Sequence, residues 1–126
     1  MCNYMTDLNK IFIDPEEDVS FTCQGHDLQS LLFKFLDEVL YRFCTDSFCP
    51  KTVHVTHLDT DTFTLTVTMY CALVTTLVFA LTAHRQGCIF NPEVHGQGTE
   101  VKAITYSNMQ IHQNENRVDL YVIIDI

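Results

Sequence analysis

The chain has no tryptophan, four glycines and three prolines in 126 residues, and only seven Lys and Arg against sixteen Asp and Glu. Each shortage excludes something. A net charge of −9 argues against charge-driven RNA binding, which needs basic side chains to displace phosphate counterions. An acidic surface suits a basic protein partner or cations instead. The few glycines form no phosphate-cradling loop, no dinucleotide fingerprint and no Gly-x-Ser-x-Gly elbow. No nucleophile–base arrangement is visible, which lowers the expectation of an enzyme. The first residues carry neither a basic start nor an early apolar run, so no signal peptide is expected.

Apolar residues are plentiful. At 47% of the chain they exclude a disordered tail and supply one domain's core. Cysteines stand at 2, 23, 44, 49, 71 and 88, and reduced thiols are the expectation without a leader. Cys44, Cys49, His54 and His57 invite a zinc reading, but their spacing fits no standard finger. On a regular strand, His54 and His57 would face opposite ways.

The chain opens with a short piece resembling the end of a helix, then Ile11-Phe12-Ile13 and an acidic break at 14–18. Residues 19–25 alternate as a half-buried strand, with Val19, Phe21 and Cys23 inward. Residues 27–43 give the clearest helix. Asp27 is its N-cap, and Leu28, Leu31, Leu32, Phe35, Leu36, Val39, Leu40 and Phe43 form one apolar stripe. Gln29, Ser30, Lys34, Asp37, Glu38 and Arg42 make the wet face. Asp37 and Glu38 read as solvated residues rather than as an acid/base pair. Strands follow at 53–58 and 62–69, joined by a turn at Asp59-Thr60-Asp61. The pattern predicts a single α+β domain over 1–126, a mostly antiparallel sheet with helices packed on one face.

Residues 62–83 hold no charge. By length the run admits a membrane span, but its first eight residues alternate as a strand and seven of the 22 are Thr. The stretch 84–98 is a polar loop in which His84 and His95 read as solvated.

The stretch 98–126 reads as two strands around a polar turn at 112–117. Val101, Ala103 and Thr105 are expected on one face, and Lys102, Ile104 and Tyr106 on the other. The second strand is expected over 118–125 with Leu120, Val122 and Ile124 together. At its end the Asp125 side chain and the terminal carboxylate of Ile126 are neighbours. Adjacent anions at a buried strand tip need a cation or donor groups, and calcium prefers such oxygens. A strand end splayed into water is the alternative.

The Glu-Val-Lys-Ala-Ile-Thr-Tyr stretch from Glu100, with the closing Ile-Ile-Asp-Ile, resembles the carboxy-terminal signature of the archease family. Ser107 after Thr-Tyr resembles the animal branch. Asp-Leu-Gln-Ser-Leu-Leu-Phe and Phe-Leu-Asp-Glu in the helix resemble the family's second helix. The resemblance covers about 1–69 and 83–126. Relative to it the chain looks short of an amino-terminal strand with His-Thr-Ala-Asp, and 70–82 reads as an insertion. Gly87, Phe90, Asn91, Pro92 and His95 resemble the loop that follows, with Asn91 in place of Asp.

The resemblance implies a non-enzymatic, divalent-metal-dependent activator of an RtcB-type tRNA-splicing RNA ligase complex, in cytoplasm and nucleus. It would promote guanylylation and turnover of the ligase without binding nucleic acid directly. Asp125 and Ile126 would bind Ca2+ or another divalent cation. The early Asp that would join them has no counterpart here, which implies a weakened site and an impaired or regulatory form. Two further readings are a membrane-anchored protein spanning with 62–83 and a small metal-dependent hydrolase using carboxylates near Asp125.

Overall fold

The computed structural model describes residues 1–10, 18–46, 48–71 and 98–126. Its elements are α1 (Cys2–Met5), a 3-10 turn (Leu8–Lys10), β1 (Asp18–Gln24), α2 (Leu28–Asp46), β2 (Pro50–Asp59), β3 (Thr64–Cys71), β4 (Ala103–Ile104), β5 (Gln110–Asn114), β6 (Arg117–Tyr121) and β7 (Ile124–Asp125). This is the α+β class expected, with every strand pair antiparallel.

The strands β1, β3 and β2 form one sheet in that order. Alternation assigns its faces. Val19, Phe21 and Cys23 pair with Met69, Val67 and Leu65 on the inner face. Val67 and Met69 sit on the central strand and are 0% exposed. The outer face carries hydroxyl pairs, Ser20 Oγ to Thr68 Oγ1 at 2.8 Å and Thr22 Oγ1 to Thr66 Oγ1 at 2.9 Å. Asp59 organises the β2–β3 turn by accepting the amides of Asp61 and Thr62.

The register of β2 slips between Val55 and His57, which is a bulge. His54 pairs with Thr68 and His57 with Thr66. Thr68 and Thr66 are two apart on β3, so the two histidines share the outer face. The opposite orientation expected from their odd spacing is therefore corrected by one extra residue.

The helix α2 starts where expected and runs three residues past 43. Its apolar stripe serves two cores rather than one. Val39 joins Phe48, Val67 and Met69 against the sheet, with Phe35 packed on them. Leu40 joins Met5, Val101, Ile104 and Met109, with Leu36 and Phe43 packed on them. A helix with an apolar band this wide can hold a sheet on one flank and a second layer on the other. Fully burying each such side chain stabilises the fold by about 1.5–3 kcal/mol before entropy is charged against it.

Two residues of the expected wet face are not wet. Ser30 is 1% exposed. Arg42 pairs with Glu38 at 2.6 Å and lies over the Phe21 ring, 5.3 Å from its centroid. Glu38 is thus held by a cation, which removes it from any acid/base pair with Asp37.

Of the charge-free run, Thr64–Cys71 is strand. Among the described residues no helix is long and apolar enough to cross a membrane. The part of that run beyond Cys71, with it the insertion read at 70–82 beyond Cys71, the loop with His84 and His95, and Ile11-Phe12-Ile13 lie outside the described residues.

Candidate functional site

The last 29 residues fold as a two-stage antiparallel ribbon. The outer stage pairs Ala103 with Asp125 and Ile104 with Ile124. The inner stage pairs Gln110 with Tyr121 through Asn114 with Arg117. Five residues separate the stages on one limb and two on the other. The surplus arches out as a turn, in which the Met109 amide donates to the Tyr106 carbonyl at 3.2 Å and Asn108 has φ 50°.

Three expectations are corrected here. The strand read over 118–125 is broken at Val122 and Ile123. The polar turn shrinks to Glu115 and Asn116, because His112, Gln113 and Asn114 belong to β5. The alternation from 101 to 106 fails, since Val101 and Ile104 are both buried and lie three apart. The break has a physical cause. Val122 and Ile124 pack into the second core, and the Thr105 amide and hydroxyl both donate to the Ile123 carbonyl, at 3.1 and 2.9 Å. The Phe33 ring stacks on Tyr106 at 4.2 Å and 9°, which holds the arch against α2. Gln29 Nε2 donates to the Met109 carbonyl at 3.1 Å.

The ribbon's open end carries the two expected site residues. The Lys102 amide donates to the Asp125 carbonyl at 2.8 Å, which fixes the backbone there. The Asp125 side chain is exposed and Ile126 is 58% exposed. The strand tip is therefore wet rather than buried. Oxygen donors suit a hard cation, but calcium takes six to eight of them. Among the described residues no three His, Cys, Asp or Glu side chains cluster to hold a metal. The pair supplies the right donor chemistry and too few donors to complete a shell.

The zinc candidates are dispersed. Cys49 is buried against Cys2, Leu8 and Phe43. Cys44 is exposed, and His54 and His57 stand on the outer sheet face.

Sequence reasoning missed one polar surface. Gln110, His112 and Asn114 share a face of β5, and Asp119 and Tyr121 face them from β6. They line an open groove of about 720 Å³. His112 Nε2 lies 2.9 Å from Gln110 Oε1, and its ring meets Tyr121 edge-on at 5.7 Å. Arg117 Nε donates to Asp119 Oδ1 at 2.6 Å. The signal was the polar alternation at 110, 112 and 114, hidden because 112 and 114 fall in the stretch 112–117 that reads as a turn.

The model of the Archease protein family (MTH1598/TM1083) matches residues 1–126. The chain belongs to the archease family. It is 38% identical over 127 residues to Protein archease of Danio rerio, covering 100% of this chain and 67% of the relative. It is 34% identical to Protein archease-like of Dictyostelium discoideum, covering 100% of this chain and 74% of the relative. The solution structure of Methanobacterium thermoautotrophicum protein 1598 superposes with a TM-score of 0.62 at 26% identity, covering 100% of this chain and 77% of that one. This archease-family chain therefore spans between two-thirds and about three-quarters of these relatives.

Proposed function

We propose that this chain is a non-catalytic activator of an RtcB-type RNA ligase in tRNA splicing, and that its activity depends on a divalent cation held in part by Asp125 and the Ile126 carboxylate. The observation that carries the reading is the folded state of the family's terminal signature. β4 and β7 pair to bring Asp125 and Ile126 to one accessible end of the molecule. A net charge of −9 fits a role through a protein partner better than through the RNA itself. Asp125 and Ile126 would supply two of the metal's oxygens, and further donors must come from elsewhere. A bound calcium would add positive charge to an acidic end, which a partner's carboxylate or phosphate groups can engage.

The test is multiple-turnover RNA joining by a purified RtcB-type ligase with GTP, with and without this chain. Stimulation that falls on Asp125→Asn and on chelation supports the reading. No stimulation, or stimulation indifferent to both, overturns it.

A further inference from the structure

The three apolar clusters share one residue. Cys2, on α1, packs against the Val39–Met69 core, against the Met5–Leu40 core and against Cys49. Cys49 immediately precedes β2 and is 4% exposed. Cys2 is only partly covered. Neither thiol is in a disulfide, and the two residues pack directly against each other. A partly covered cysteine backed by a buried one is the arrangement of an attacking thiol and a resolving thiol.

We propose that Cys2 and Cys49 form a redox-active dithiol that is oxidised to a disulfide by low-molecular-weight disulfides of the glutathione type. The Cys2 thiolate attacks one sulfur of the small disulfide. A Cys2–small-thiol bond forms as the original S–S bond breaks, and one small thiolate leaves. Cys49 then loses its proton and attacks the Cys2 sulfur, expelling the second small thiolate. The two thiol protons end on the two released thiols. The protein dithiol is oxidised by two electrons and the small disulfide is reduced by two.

The electrostatics support this order. The neighbouring Cys49 thiol outweighs burial and lowers the Cys2 thiol to about 7, which favours Cys2 as the attacking group of the pair. Cys23 is the opposite case: burial, then the Glu38 charge, push its thiol up. Cys44 is exposed and provides an internal control on the same chain. The bond would tie α1, which contributes Met5 to the second core, to the entry of β2. The redox state of small thiols would then set how firmly that core is closed.

The experiment is oxidation of the full chain with glutathione disulfide at pH 7, followed by blocking, digestion and mass mapping of all six cysteines. The expected product is a Cys2–Cys49 cross-linked peptide, lost again on reduction with dithiothreitol. Cys49→Ser is expected to stop at a glutathione adduct on Cys2. The unsubstituted chain gives a second readout: Cys2 should alkylate with iodoacetamide several-fold faster than Cys44 at pH 7. The proposal fails if Cys2 labels no faster than Cys44. It also fails if the adduct on Cys2 never resolves onto Cys49 in the unsubstituted chain.

Discussion

Asp27 and Ser30 cap α2 reciprocally. The Ser30 amide donates to Asp27 Oδ1 at 2.7 Å, and the Asp27 amide donates to Ser30 Oγ at 3.1 Å. Ser30 Oγ also accepts the His26 amide at 2.9 Å and donates to the Asp27 carbonyl at 3.0 Å. One buried hydroxyl thus satisfies two orphan amides at the helix entry. Ser30→Ala should cost about 0.5–2 kcal/mol, because the helix entry loses the hydroxyl that caps it. Urea denaturation checks it, and a loss too small to measure would mean the hydroxyl is dispensable.

The same cap sets part of the acid limb of stability. The Ser30 amide and then the Ser30 hydroxyl hold the Asp27 carboxyl below its ordinary 3.8. The Thr62 hydroxyl and the Asp61 and Thr62 amides do the same for Asp59, also from 3.8. A depressed folded value means the contribution is fully present above pH 3.8 and is lost as pH falls through the lower folded value. Asp27→Asn with Asp59→Asn should therefore flatten the stability–pH curve below about pH 4 and leave its slope near neutrality unchanged. Denaturant midpoints across that range measure it.

Gly25 sits under this cap. A Cβ there would lie 2.6 Å from the Leu31 amide nitrogen and 2.7 Å from Ser30 Oγ. Backbone cannot yield as a side-chain tip can, so Gly25→Ala should destabilise by about 1–3 kcal/mol. If thermal scans put the variant level with the parent, the turn has room that this geometry denies.

The helix's two duties separate by substitution. Leu40 is 6% exposed and belongs to the second core, whereas Leu36 is half-buried on its rim. Leu40→Ala should cost about 2–5 kcal/mol and Leu36→Ala less. Equal losses in a urea series would argue against the division.

The helix was legible because a period near 3.6 over 17 residues admits no other reading, and its cap residue follows from Asp before Leu. Ser30 was not legible. A serine reads as polar, and only the Gly25-His26 bend brings amides onto its hydroxyl. The shared face of His54 and His57 was hidden for a similar reason, since a bulge leaves no mark in the residues around Thr56. The break at Val122 and Ile123 was invisible because both are strand formers. The stacking of Tyr106 on Phe33 and the burial of Met109 decide it, and those are contacts distant in sequence. The position of Asp125 was plain, but its exposure was not: Val-Ile-Ile suggests burial on both faces, yet Ile123 is 49% exposed.

That exposure sharpens the test of the terminal carboxylates. Asp125 and the Ile126 carboxylate adjoin each other at the open end of the β4–β7 pair, fixed by the Lys102 amide. A cation bound there stabilises only the folded chain. At a hundredfold excess over its dissociation constant it should add about 2.7 kcal/mol. Two carboxylates fall short of a full oxygen shell, so the expected affinity is weak, in the high-micromolar range or beyond. Asp125→Asn keeps the size and removes one charge, so the calcium-dependent gain should shrink or vanish. Amidating the terminus removes the other charge and should act alike. General screening of an acidic surface would treat both variants as the parent, because one charge in a net −9 changes little. Calcium titration calorimetry on the parent, Asp125→Asn and the amidated chain separates these cases. Identical heats in all three would leave a solvated strand end and no metal site.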